Sequence, residues 1–159
     1  MLPEIKTILY ATDLQNGSRQ AFRYAIKLAQ TYQAHIVFMN AIEPRQKRVL
    51  KQLKNELPSS DVNDMNAEGI HALQHKMRER LSRFIEDEKP DIDPQKIEMI
   101  IVEDSQPEQA ILYTAKKYGV DLVVMGYHHG RNMSKLFQGV TTNKVIKASD
   151  LPVLIVPLA

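Results

Sequence analysis

The stretch 125–142, MGYHHGRNMSKLFQGVTT, concentrates the side chains of this sequence that are best suited to chemistry. It holds three glycines, two adjacent histidines, an arginine, a lysine, a serine and two threonines. Glycine lets a ligand approach the backbone, cations and hydroxyl groups bind phosphate, and histidine binds metals. The stretch therefore admits three interpretations: a loop that holds phosphate, a metal site, or only the connection between a strand and a helix.

Two glycines frame the phosphate interpretation. Gly126 directly follows an apolar run, where the missing Cβ would permit a sharp turn and the close approach of a ligand. Gly139 directly precedes a predicted helix, and the free amides of Val140, Thr141 and Thr142 would face outward from its N-terminus and attract an anion. The same spacing is also typical of an ordinary strand-loop-helix connection, so both interpretations stay open.

The histidines give less support to a metal site. His128 and His129 are adjacent, so their side chains would point in opposite directions on an extended loop. His71 and His75 have the spacing of one helix face, but no third ligand has an obvious position. The sequence also lacks a nucleophile elbow and a Walker-type phosphate motif. We therefore predict no metal site and no catalytic residue.

The composition is that of a soluble globular protein. Of the 159 residues, 43% are hydrophobic and 25% charged, and the formal net charge of +2 does not indicate a nucleic-acid partner. The lack of cysteine excludes disulfides, thiolate catalysis and thiolate zinc sites. No apolar run approaches the roughly 20 residues of a membrane span or the apolar region of a secretory signal. We expect one cytoplasmic domain, residues 1–159, that binds neither membrane nor nucleic acid.

Five short apolar runs rich in valine and isoleucine indicate buried parallel strands, because they are apolar on both faces. Apolar residues at a period near 3.6 indicate helices between them. The predicted strands are 7–11, 35–42, 97–102, 121–126 and 152–157, and the predicted helices are 18–32, 63–88, 108–118 and 141–148. This alternation predicts an α/β fold in three layers: an open parallel five-stranded sheet with helices on both faces.

The predicted topology also indicates where a ligand would bind. In open parallel sheets, ligands bind beyond the carboxyl ends of the strands, where the strand order reverses. The first strand ends at Asp13, the second at Ala41 and the fourth at Gly126. The carboxylate of Asp13 could accept hydrogen bonds from a ribose or a base, or it could cap the following helix.

The segment 45–64 leads into the long second helix and is strongly basic between Arg45 and Lys54. A run of cations can dock acidic partners or phosphate. It can equally be a solvated, partly helical excursion, because Val49, Leu50 and Leu53 have helical spacing.

Several segments resemble the universal stress protein family over nearly the whole chain. They are ILYATD in the first strand, HIVFMNAIEP in the second, SQPEQAILYTAKKYGVDLVVMG in the helix-strand unit, and GVTTNKVIKASDLPVLIVP at the end. The resemblance implies a Rossmann-like fold of the adenine nucleotide alpha hydrolase type. It also implies a stress-response regulator that forms a homodimer through the last strand, here Val153 to Val156. Such pairing would cover an edge that otherwise favours aggregation.

One branch of this family binds ATP, through a motif of glycine, two residues, glycine, nine residues, glycine and a serine or threonine. Counted from Gly126, this sequence has His129 at the second glycine position, Gly130 one place late, Gly139 on register, and Val140 in place of the hydroxyl residue. The resemblance implies an ATP site, with magnesium and at most slow hydrolysis. Its contacts would be Ala11, Thr12, Asp13, Ala41, Gly126, His129, Gly130, Gly139, Val140, Thr141 and Thr142, with charge from Arg131 or Lys135.

The paired histidine in GYHH resembles the other branch of the family, which does not bind nucleotide. The alternative is therefore a stress protein without a cofactor. Such a protein would act on an unknown protein partner through its dimer and its basic segment.

Overall fold

The computed structural model of the chain describes residues 1–12, 18–42, 62–103, 106–128 and 140–158. The basic run 45–54 lies outside these residues. The strands are β1 (Thr7–Thr12), β2 (His35–Ile42), β3 (Ile97–Glu103), β4 (Leu122–His128) and β5 (Val153–Leu158). The helices are α1 (Ser18–Tyr32), α2 (Val62–Glu88), α3 (Pro107–Lys117) and α4 (Val140–Ala148), and a 3-10 turn spans Pro94–Lys96.

The five strands form one parallel sheet in the order β3-β2-β1-β4-β5. Helices α1 and α2 pack on one face through residues such as Phe22 and Phe84, and α3 and α4 pack on the other through Ile111 and Val145. The predicted α/β fold, an open parallel sheet with helices on both faces, is confirmed. The strand order reverses between β1 and β4, which are neighbours in the sheet although two strands separate them in sequence.

The central strand β1 shows why the apolar runs predicted parallel strands. Ile8 and Tyr10 point into the cluster under α1 and α2, whereas Leu9 and Ala11 point into the cluster under α3 and α4, and all four are almost fully buried. A strand covered on both faces must be apolar at every position, so the alternation of a half-exposed strand is missing.

The predicted bounds of the fourth and fifth strands are wrong by one or two residues, and β1 and β3 each end one residue later than predicted. The fourth strand was expected to span 121–126, but β4 continues through Tyr127 and His128 because β5 pairs with it as far as Leu158. At its start, Asp121 precedes the strand and uses its carboxylate to accept hydrogen bonds from the backbone amides of Lys6 and Thr7, at 2.8 and 2.9 Å. The fifth strand is shifted by one residue, to Val153–Leu158.

The α1 and α2 face contains an aromatic cluster that joins four elements. Tyr10, Phe22 and Phe38 stack with ring centroids 5.2–5.5 Å apart, and Phe84 of α2 lies 4.6 Å from Phe22. These contacts fix α1 and α2 against the sheet.

Within the described ranges, none of the helices combines the length and apolar character that a membrane-spanning helix requires.

Candidate functional site

Open parallel sheets form a crevice outside the carboxyl ends of the strands where the strand order reverses, and in this sheet that place is between β1 and β4. The pairing of β1 with β4 ends at Ala11 and Met125, whereas the pairing of β4 with β5 continues to His128 and Leu158. The end of β4, residues 126–128, therefore extends beyond its ladder with β1. Ligands of open α/β sheets bind at this position.

Small and polar residues replace large apolar ones at the ends of β1 and β2. Ala11 and Ala41 lie on the α3 and α4 face and are 1% and 3% exposed. On the opposite face, Thr12 is the register partner of Asn40, and both are buried. Ala11, Thr12 and Ala41 therefore all lie at the carboxyl edge of the sheet, the two alanines on one face and Thr12 on the other.

Gly126 lies near the end of β4, and the sharp turn expected there is wrong. It belongs to an extended strand and not to a sharp turn, and its backbone continues the pairing with Val156 of β5. The side chain of Leu158 occupies the space that a Cβ on Gly126 would need. The described structure therefore explains this glycine by packing against Leu158.

The N-terminus of α4 supplies the polar end of the crevice. Because α4 joins two parallel strands, it begins at the same edge of the sheet at which β4 ends. Its first residue is Val140, and Thr141 and Thr142 of its first turn are 5% and 2% exposed. The Oγ1 atom of Thr142 is buried and has no hydrogen-bond partner among the described residues. A buried hydroxyl without a hydrogen-bond partner lowers the stability of the fold by about 1–3 kcal/mol. A group that forms a hydrogen bond with it is therefore expected nearby.

A charged pair next to this helix was not found from the sequence. Glu108, the second residue of α3, is 7% exposed, and its Oε1 atom accepts a hydrogen bond from Nζ of Lys144 in α4 at 3.4 Å. The sequence signal that could have identified Glu108 is helical periodicity, which places it on the buried face of α3 with Ile111 and Ala115. A carboxylate on an apolar helix face needs a partner, and only the packing of α3 against α4 identifies it.

The remaining predicted site residues lie outside the described residues. They are Asp13, His129, Gly130 and Gly139, together with the cations Arg131 and Lys135. His71 and His75 are exposed on α2, and Nε2 of His75 lies 3.7 Å from Glu79. Across the described ranges, no group of three or more metal-ligating side chains comes together.

Comparison with known proteins identifies relatives of nearly the same length. A family model described as the universal stress protein family matches residues 4–157. Universal stress protein MJ0577 of Methanocaldococcus jannaschii is 29% identical over 154 residues, which are 95% of this chain and 94% of the relative. Universal stress protein C of Salmonella typhimurium is 28% identical over 153 residues, which are 96% of this chain and 95% of the relative.

Solved structures of this family share the fold. Universal stress protein UspA from Lactobacillus plantarum superimposes with a TM-score of 0.68 at 22% identity, covering 98% of this chain and 99% of the other. A universal stress protein in complex with cAMP gives 0.63 at 20% identity, over 99% and 100%. One from Archaeoglobus fulgidus in complex with dAMP gives 0.56 at 13% identity, over 95% and 96%. Together with the family match over almost the whole sequence, these comparisons show that the chain belongs to the universal stress protein family.

Proposed function

We propose that this protein is a stress-response regulator that binds an adenine nucleotide in the crevice between β1 and β4. The observation that carries the proposal is the Thr142 hydroxyl, which is buried in the first turn of α4 without a partner among the described residues. A phosphate oxygen is an acceptor for this hydroxyl, and the free amides and the positive end of the dipole at a helix N-terminus favour the same group. The residues present therefore fit a phosphate.

The two ends of the crevice suit the two ends of a nucleotide. At β1 and β2, the proposed base end, the side chains of Ala11 and Ala41 are small and Thr12 is polar. At the proposed phosphate end, Thr141 and Thr142 lie in the first turn of α4. The proposed contacts are Ala11, Thr12, Asp13 and Ala41 for the base and ribose, and Gly126, His129, Gly130, Gly139, Val140, Thr141 and Thr142 for the phosphates.

ATP is the proposed ligand, with Mg²⁺ held chiefly through its phosphates. The relatives in complex with cAMP and dAMP support an adenine nucleotide at this fold. Bound nucleotide would act as a regulatory ligand, because no catalytic residue is proposed. The cytoplasmic location remains a prediction from the sequence.

Calorimetric titration of the purified protein with ATP, with and without Mg²⁺, tests the proposal. We expect saturable binding and a melting temperature that rises with ATP concentration, because a ligand of the native state stabilises it by mass action. Nucleotide retained through purification and released on acid denaturation would support the same conclusion. No heat of binding and no melting shift at millimolar ATP would exclude the nucleotide site.

A role in protein interaction is a second candidate, favoured by the edge of the sheet. The strand β5 is an edge strand, and its residues Val153, Leu154 and Ile155 are only half-buried. Pairing of Val153 to Val156 with the same strand of a second copy would cover this edge. We propose a homodimer of this kind, and light scattering should give a mass of twice 18.2 kDa. A mass of one chain at micromolar concentration would contradict it.

A further inference from the structure

The ion pair between Glu108 and Lys144 lies beside the proposed phosphate site. Helix α3 follows β3 and α4 follows β4, so both helices begin at the carboxyl edge of the parallel sheet. Lys144 lies three residues after Thr141 on α4 and shares its side of the helix. Helical side chains lean toward the N-terminus, so the side chain of Lys144 is directed toward the first turn of α4, and its Nζ atom lies 3.4 Å from Oε1 of Glu108.

The two partners of this pair differ in their environment. The side chain of Glu108 is 10% exposed, whereas that of Lys144 is 57% exposed. A buried carboxylate interacts with other charges through a less polar medium than an exposed cation does, so its field is screened less. Glu108 also lies at the N-terminus of α3, where the helix dipole favours a negative charge.

We infer that the buried carboxylate of Glu108 neutralises Lys144 and lowers the affinity of the nucleotide site for polyphosphates relative to single-phosphate nucleotides. Without Glu108, the first turn of α4 would present a helix N-terminus and an uncompensated lysine, a strongly cationic end that suits a triphosphate. With Glu108, the pair has no net charge. The field of the buried carboxylate is screened less than that of the exposed lysine, so it opposes each additional phosphate charge. Glu108 is then a residue that determines ligand specificity, and this inference rests on the proposed nucleotide site.

The size of the effect follows from Coulomb's law. For a separation of about 10 Å and an effective dielectric constant of about 40, removal of one charge changes affinity about fourfold for each charge on the ligand. ATP carries several negative charges and cAMP a single one. Replacement of Glu108 should therefore strengthen ATP binding at least fourfold more than it strengthens cAMP binding.

Titrations with ATP and with cAMP in the absence of Mg²⁺, at low salt, test this inference. Glu108→Gln keeps the size of the side chain and removes its charge, and we expect the ATP-to-cAMP affinity ratio to rise at least fourfold. Glu98→Gln is the matched control, because Glu98 is exposed near the start of β3 at the opposite edge of the sheet. The control should leave the ratio unchanged, and added salt should reduce the effect of Glu108→Gln.

Removal of the positive charge of Lys144 should have the opposite effect on the affinity ratio. Lys144→Gln should lower the ATP-to-cAMP ratio, whereas Lys147→Gln in the last turn of the same helix should not. The double variant Glu108→Gln/Lys144→Gln restores the wild-type net charge and should bring the ratio back toward the wild-type value. If the pair had only a structural role, each single variant would instead lower the affinities for ATP and for cAMP by the same factor.

The outcomes separate this inference from the function on which it rests. If both nucleotides bind and Glu108→Gln leaves their affinity ratio unchanged or lowers it, the role of Glu108 is wrong and the nucleotide site stands. If neither nucleotide binds to the wild type or to any variant, the proposed nucleotide site is wrong and the inference falls with it.

Discussion

The side chain of Leu158, in the last strand, fills the space in which a Cβ on Gly126 would lie. Both residues are on the α1 and α2 face of the sheet, and Leu158 is 6% exposed within the apolar cluster of that face. The glycine that the sequence associates with ligand approach thus has a packing role as well. The contact joins β4 and β5, which pair in parallel with Gly126 opposite Val156 and His128 opposite Leu158.

We therefore predict that Gly126→Ala destabilises the protein by about 1–3 kcal/mol, the usual cost of overpacking a core. The reason is that the new methyl group displaces the side chain of Leu158, which is almost fully buried in the apolar cluster of that face. Urea denaturation gives the free energy of unfolding. In the Leu158→Ala background the same substitution should cost less, because the obstructing atoms are gone. Equal costs in both backgrounds would show that Leu158 is not the cause.

The carboxylate of Asp121 ties the start of β4 to the start of β1. It accepts hydrogen bonds from the amides of Lys6 and Thr7, and the amide of Asp121 itself donates to the carbonyl of Thr7 at 2.9 Å. We predict that Asp121→Ala lowers the free energy of unfolding by about 1–3 kcal/mol, because it leaves the amides of Lys6 and Thr7 without their charged acceptor. The exposed Asp150 is the matched control, and Asp150→Ala should change stability by about 0.5 kcal/mol or less.

Glu88 predicts a pH dependence of stability. Hydrogen bonding by Arg23, followed by the charges of Arg23 and Arg19, holds the pKa of the Glu88 carboxyl below its ordinary value of 4.5. A depressed folded-state pKa stabilises the protein above the unfolded-state pKa, and this contribution is lost as the pH falls through the folded-state pKa. The wild type should therefore exceed Glu88→Gln in stability at neutral pH, and the difference should shrink progressively below pH 4.5.

Unfolding titrations at several pH values measure this difference. Glu86→Gln, on the same helix, controls for the loss of one negative charge from α2. A difference between wild type and Glu88→Gln that stays constant from neutral pH to acid would contradict the role of the arginine pair.

Phe84 anchors the C-terminal half of α2. Its ring is 4% exposed, contacts Phe22 and lies under the guanidinium group of Arg19, 5.7 Å from the ring centroid. We predict that Phe84→Ala costs about 3–5 kcal/mol, through lost burial and the cavity left behind. Phe84→Leu should cost clearly less because it fills most of the volume. Thermal or urea unfolding compares the two, and similar losses for both would indicate that the aromatic stacking, and not the volume, matters most.

Thr142 allows stability and binding to be separated. Thr142→Val removes a buried hydroxyl that has no partner among the described residues, so the protein without ligand should be as stable as the wild type or more stable. The same change should weaken ATP binding about tenfold or more, because it removes a hydrogen bond to a charged group. Thr114→Val, at a buried threonine of α3, is the control for the substitution itself. Unchanged ATP affinity in Thr142→Val would place the phosphates elsewhere.

The sequence by itself determined the elements and the class of fold. The helix 18–32 and the strand 35–42 were predicted with the bounds that the structure has. Such elements can be predicted because the pattern of apolar residues that a buried helix or strand requires lies within one short segment of sequence. The family was also recognised from local motifs, and the edge of the sheet at which a ligand is expected follows from alternating strands and helices.

The tertiary structure alone decided which residues meet. Glu108 and Lys144 are 36 positions apart, and Asp121 lies 115 positions from Lys6. The packing of Leu158 against Gly126 depends on the register of two strands separated by a helix. No local pattern encodes such contacts, because each partner is an ordinary helix or strand residue in its own segment. They arise only when the sheet order and the packing of helices bring distant parts of the chain together.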